Sequence, residues 1–157
     1  MQEQRNTARY RAPGWFTRNV MNRLVRRLTR AGISVWGSRE LRVRGRTTGE
    51  TRTTVVNLLE HDSARYLVAP RGTTQWVRNL RAAGGGELRV GRRLEPFRGV
   101  EIADVDKVPV LRAYLRRWRF EVGQFFEGVG PDASDAELAR IAPGYPVFLV
   151  QAVTEAP

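Results

Sequence analysis

From Leu41 onward the hydrophobic period of the chain is two: Leu41, Val43 and Gly45 alternate with Arg42, Arg44 and Arg46. Such alternation suits a strand with one buried and one solvated face. It does not suit a helix, whose apolar face repeats every three to four residues. The β pattern recurs along the chain. After the turn GRTTGET, the run TRTTVVNLLE continues as strand, and beyond a turn at HDSA comes the short strand RYLVAP. ELRV and LEPFRGVEIADV flank Gly91 as a further hairpin, with Pro96 demoting part of its strand to an edge or bulge. The last segment, YPVFLVQAV, reads as a strongly apolar strand.

Helical periodicity is inserted between these strands. TTQWVRNLRAAG predicts a helix with Thr73 or Thr74 as its cap and Gly84-Gly85-Gly86 as its end. Residues 107–127 carry an apolar stripe of Val110, Leu111, Tyr114, Leu115 and Trp118, and Ser134 and Glu137 have capping-box spacing. Hairpin-joined strands with helices between them predict a small α+β barrel. With 157 residues the chain has room for one core. Residues 1–12 read as a flexible N-terminus and 13–157 as a single domain.

Within WFTRNVMNRLVRRLTRAG, Phe16, Val20, Leu24 and Leu28 recur every four positions, and Arg18, Arg23, Arg26, Arg27 and Arg30 occupy much of the rest. This predicts a basic amphipathic helix closed by Gly32. It either packs its stripe on the body or lies on an anionic membrane surface. No apolar run approaches the roughly 20 residues that span a bilayer. The first residues lack the apolar stretch of a signal peptide, so a cytoplasmic location is expected, with peripheral membrane association through this helix as the variant reading.

Several chemistries are excluded by composition. The chain has no Cys, which removes disulfides, thiolate metal sites and a cysteine nucleophile. Its one histidine, His61, lies in the polar break EHDS and reads as a hairpin-turn residue rather than a base. No metal site is expected. The net charge is +11, from 27 basic and 16 acidic residues, and Lys107 is the only lysine. A surplus of that size favours anions: phosphates, nucleic acid or an acidic membrane.

Two segments could hold an anion. Gly45-Arg46-Thr47-Thr48-Gly49-Glu50-Thr51-Arg52-Thr53-Thr54 joins two strands with a tight, glycine-bearing loop, threonine hydroxyls and two arginines. Guanidinium groups offer forked donors to phosphate, and hydroxyls and amides fill the remaining lone pairs. On composition alone the segment reads first as an ordinary polar hairpin and second as a phosphate-binding loop, and it is not a P-loop, having neither Gly-Lys-Ser/Thr nor a following helix. The second segment, Ala69-Pro70-Arg71-Gly72-Thr73-Thr74-Gln75-Trp76-Val77-Arg78-Asn79-Leu80, leads a strand end through a turn into a helix N-terminus. Trp76 and Asn79 share a helical face there. Trp76 reads as a core aromatic or as a pocket wall.

Together, a G-R-x-[ST]-G-x-x-R turn and a later W-x-x-N-L helix resemble the deazaflavin-dependent nitroreductase family, whose split β-barrels are related in fold to flavin-binding pyridoxamine oxidases. The similarity runs from Leu41 to Val90 and more loosely to Asp104. It implies a split β-barrel of about six mostly antiparallel strands with peripheral helices, using coenzyme F420. It also implies hydride transfer between that cofactor and a small organic substrate such as a nitro compound, quinone or enone. By resemblance, Arg46, Thr47, Thr48 and Arg52 would hold the cofactor's phosphate and tail. Ala69, Pro70 and Arg71 would line its ring and linker, and Trp76 and Asn79 would complete the pocket. The chain departs from the family in having Thr47 where lysine is common, and in a shorter connection before Trp76.

No catalytic side chain is designated. The proton would come from solvent or from a tyrosine such as Tyr114 or Tyr145, both of which also read as packing residues. Trp15, Trp118, Phe125 and Phe126 are expected as an apolar substrate wall. One rival is a split barrel that binds flavin mononucleotide (FMN). Another is a basic nucleic-acid or membrane module, disfavoured because the aromatics fall mostly in helical segments rather than beside the strand arginines. Either a monomer or a homodimer is compatible with the sequence.

Overall fold

A computed structural model describes residues 37–153 and, before them, Arg23 alone. The flexible segment expected over 1–12, the basic helix expected before Gly32 and the wall residue Trp15 therefore lie outside the described residues. The strands are β1 (Ser38–Arg44), β2 (Thr51–His61), β3 (Ala64–Val68), β4 (Gly85–Val90), β5 (Arg93–Glu101) and β6 (Val147–Ala152). They form a closed barrel in the order β1-β2-β3-β6-β5-β4, and every pairing is antiparallel. The helices are α1 (Gln75–Ala83), α2 (Lys107–Val122) and α3 (Asp135–Ile141).

Strand alternation sorts side chains between two cores. Leu41, Val43, Leu58, Leu67, Leu88, Phe97 and Phe148 join one cluster with Val77 and Leu80 of α1. Their neighbours Leu59, Val68 and Val147 join the other, beneath α2 and α3. All five residues of the stripe expected on α2 are buried: Val110, Leu111, Tyr114, Leu115 and Trp118. Burying a side chain of that size stabilises the fold by about 1.5–3 kcal/mol. The helix is broken at Trp118, whose φ −124° and ψ 22° are not helical.

The turns bear out their sequence signals. Asp62 and Ser63 both have positive φ, 49° and 62°, as a two-residue hairpin that matches strand twist requires. His61 is the strand residue flanking that turn, opposite Ala64. Pro96 stands opposite Glu87 on β4 but just outside the β5–β6 ladder, which begins at Phe97, so on that side it is locally an edge. Ser134 and Glu137 form a complete capping box on α3. One boundary differs from expectation. Gly84 alone, at φ 76°, closes α1, whereas Gly85 and Gly86 are already strand. A Cβ at Gly85 would stand 2.3 Å from the Phe97 carbonyl oxygen, and one at Gly86 2.5 Å from that of Arg42, so both glycines serve close strand approach.

Two buried charges had no sequence signal. Glu40 is 2% exposed and bonds Arg89, directly across the β1–β4 ladder, at 2.7 Å. Lys107 is also buried, pairing with Asp104 at 2.7 Å and donating to the Ala142 carbonyl at 3.1 Å.

Candidate functional site

The loop 45–50 between β1 and β2 closes on itself. The Gly45 N–H donates to the Glu50 carbonyl at 2.7 Å, the Gly49 N–H to the Gly45 carbonyl at 2.9 Å, and the Glu50 N–H to Thr48 Oγ1 at 3.2 Å. Gly49 has φ 76°, a conformation that side chains rarely tolerate. The loop is then tied to α1 across 33 residues of sequence. Asn79 Oδ1 accepts the Arg46 backbone N–H at 3.2 Å and its guanidinium at 2.8 Å, and Gln75 Oε1 accepts the other terminal nitrogen of Arg46 at 2.9 Å.

The approach to α1 is equally specific. The Gly72 N–H donates to Ala69 O and the Thr74 N–H to Gly72 O, with Gly72 at φ 84°. Thr74 is the N-cap in extended conformation, yet its side chain makes no capping bond. That hydroxyl is buried and has no hydrogen-bond partner among the described residues. Helix N-termini carry partial positive charge and exposed amide donors, which a capping side chain ordinarily quenches in part.

Between loop and helix lies a cavity of about 760 Å³. Arg46, Thr47, Thr48, Arg52, Arg71, Trp76 and Asn79, seven of the nine residues named by resemblance, line it. Arg78 adds a further cation, and Leu41, Val43 and Thr74 add wall. Arg52 stands 3.9 Å from the exposed Glu50 carboxylate, a loose surface pair that leaves most of its charge available. Trp76 plays both roles the sequence left open: it lines the cavity, and its ring lies 6.0 Å from that of Phe148 at the edge of the barrel core.

The structure relocates the remaining expectations. Ala69 is buried in the barrel cluster, its N–H donating to Pro146 O, and neither it nor Pro70 lines the cavity. Trp118 and Phe126 are core residues at 1% and 0% exposure, and Phe125 packs against the same cluster, so none is cavity wall. Tyr114 and Tyr145 belong to that cluster too, with the Tyr145 hydroxyl bonded to the Phe125 carbonyl. Thr73 and Thr74, the two threonines that the sequence set beside Arg71 as part of an anion site, both line the cavity, whereas sequence reasoning missed Gln75. Its place in the first turn of a helix that already held Trp76 and Asn79 was the available signal.

Among the described residues no cluster of three or more His, Cys, Asp or Glu stands ready for a metal, and no helix is long and apolar enough to cross a membrane. Among solved structures, an F420-H2-dependent reductase (FDR-A) matches with TM-score 0.53 and 14% identity, covering 73% of this chain and 94% of its own. Atu2129 of Agrobacterium tumefaciens, described as of unknown function, matches at 0.52 and 16%, covering 90% and 59%. The Vibrio cholerae haem storage protein HutZ matches at 0.50 and 7%, covering 76% and 83%. Likeness at these identities establishes the split-barrel fold alone. No curated protein matches the sequence significantly. The model of one family, F420H(2)-dependent quinone reductase, matches residues 9–122, well over half of the chain. The protein belongs to the F420H(2)-dependent quinone reductase family and is an oxidoreductase that depends on coenzyme F420.

Proposed function

We propose that the cavity between loop 45–50 and α1 holds F420H2 and that the protein reduces a quinone-type acceptor, with nitro compounds and enones as related substrates of the same chemistry. The observation that carries this reading is the convergence of Arg46, Arg52, Arg71 and Arg78 on one cavity at an uncapped helix N-terminus. The lining suits the cofactor. A phosphate and a carboxylate-bearing tail require several cations and amide donors, and a flat ring requires an aromatic wall, here Trp76. The buried, unpartnered Thr74 hydroxyl is a polar group that a ligand can satisfy.

In this assignment Arg46, Thr47, Thr48 and Arg52 bind the phosphate and tail, and Arg71 flanks the linker. Ala69 and Pro70 act indirectly, fixing the turn that presents Arg71 and Thr74. Trp76 bounds the ring, and Leu41 and Val43 exclude water from the inner end of the cavity. When bound, the reduced deazaflavin supplies a hydride, and the protein supplies its orientation. Among the described residues no tyrosine or histidine lines the cavity, and Tyr114 and Tyr145 lie in the core beneath the helices.

Titration with F420, followed through tryptophan fluorescence with FMN in parallel, tests the binding half. Saturable binding that prefers F420 and weakens in Arg52→Ala is expected, and a preference for FMN would overturn the assignment. Oxidation of F420H2 on addition of a soluble naphthoquinone tests the substrate half. Turnover with a nitroaromatic but none with any quinone would move the substrate class.

A further inference from the structure

We infer that Gln75 and Asn79 form a neutral amide clamp that positions Arg46, and that Gln75 thereby sets how strongly the protein selects a phosphate-bearing cofactor. The inference rests on the cofactor reading above. Gln75 and Asn79 are four residues apart on α1, so both project from one face one turn apart. Their side-chain carbonyls take one donor from each terminal nitrogen of Arg46, at 2.9 and 2.8 Å, and Asn79 also takes the Arg46 backbone N–H. Loop and guanidinium are thus fixed by the same helix face.

The choice of acceptor has a consequence. A guanidinium has five N–H donors, and the clamp uses two of them. Carboxylates at these positions would hold Arg46 as firmly but would cancel its charge and repel an incoming dianion. Amides orient it and leave the charge intact. Asn79 is 5% exposed, and although it borders the cavity its side-chain oxygen already accepts two hydrogen bonds from Arg46, so it is a positioning residue more than a ligand contact. Other arginines show the contrast, since Arg81 and Arg89 are each committed to a glutamate at 2.7 Å.

The test compares affinities for F420 and for the deazaflavin nucleoside that lacks phosphate and tail, using the intrinsic tryptophan fluorescence of the whole chain. Gln75→Glu, nearly isosteric, is expected to weaken F420 binding about tenfold, and Gln75→Leu about threefold, with the nucleoside unchanged within about twofold. A selective loss of that kind does not arise from general destabilisation, and melting temperatures of the variants control for folding. Equal losses for both ligands, or unchanged F420 binding in Gln75→Glu, would overturn the clamp. Arg46→Ala separates the two readings. If it weakens F420 while both Gln75 variants do not, the clamp alone fails. If it leaves F420 binding intact, the phosphate assignment fails with it.

Discussion

Arg46 and Arg112 lie in different parts of the molecule and use the same side chain in opposite ways. Arg112, on α2, gives one terminal nitrogen to the carbonyls of Pro131 and Ala133 at 2.8 and 2.7 Å and the other to Asp135 at 2.6 Å. It staples the segment before α3 to α2 and is electrically neutralised in doing so. Arg46 is held as precisely, but by amides only, and beside a cavity. In the helical layer Arg112 spends its charge on holding the fold together, while beside the cavity Arg46 is oriented without being neutralised. Fixed orientation therefore does not distinguish a structural arginine from a functional one. The charge of its acceptors does.

The difference predicts separable effects. The largest belongs to the helical layer: Trp118→Ala should cost roughly 3–5 kcal/mol, seen as a lowered urea midpoint with unchanged slope. F420 affinity of the folded fraction should be unaltered, and a parallel loss of affinity would join the two regions into one unit. Next come the two arginines. Arg112→Ala should lose about 1.5–3 kcal/mol of stability and no affinity. Arg46→Ala should weaken F420 by about ten- to a hundredfold and barely move the melting temperature. An Arg46 variant that melts early but binds normally would erase the contrast.

Thr74→Val sharpens it further. Removing a hydroxyl that has no partner should leave the ligand-free protein equally stable or up to about 1 kcal/mol more so, while F420 binding weakens several-fold. A loss of stability without loss of affinity would make Thr74 purely architectural.

The smallest effect lies on the barrel wall, where Glu95 is held below the usual carboxylate range, first by its hydrogen bond from Arg93 and then by the charge of Arg93 and its bond from Arg65. A lowered folded value means that its stabilisation is fully present above the unfolded pKa of about 4.3 and is lost as pH falls through the folded value. Glu95→Gln should therefore flatten the acid limb of the stability profile by a few tenths of a kcal/mol, since the pair is partly solvated. An unchanged acid limb would show that the pair contributes nothing.

How much of this was legible in the sequence depends on the kind of signal. Alternation at Leu41 and Val43, the Ser134–Glu137 spacing and the stripe on α2 are local, and each appears as read. Periodicity reports that a residue is buried but not what it is buried against. Trp118 and Phe126 were therefore legible as apolar and were misplaced as substrate wall, when they fill the core beneath the helices. Asn79 shows the same limit for polar groups. A shared helix face with Trp76 put it at the site, but only the fold shows that its oxygen is already given to Arg46. Glu40 could not be anticipated, because its partner Arg89 is 49 residues away and meets it only once β1 and β4 pair.

The strand order has a consequence for the newly made chain. β6 is the last in sequence of the described strands, yet it stands between β3 and β5 and pairs with both. Until residues 147–152 leave the ribosome, the sheet is an open ribbon with two unsatisfied edges, one of them carrying Leu67 and Val68. Closure must wait for a strand that pairs at a sequence separation of about 80 residues with β3, which makes it a late and slow event. Synthesis thus passes through an aggregation-prone interval that ends when one six-residue strand seats itself.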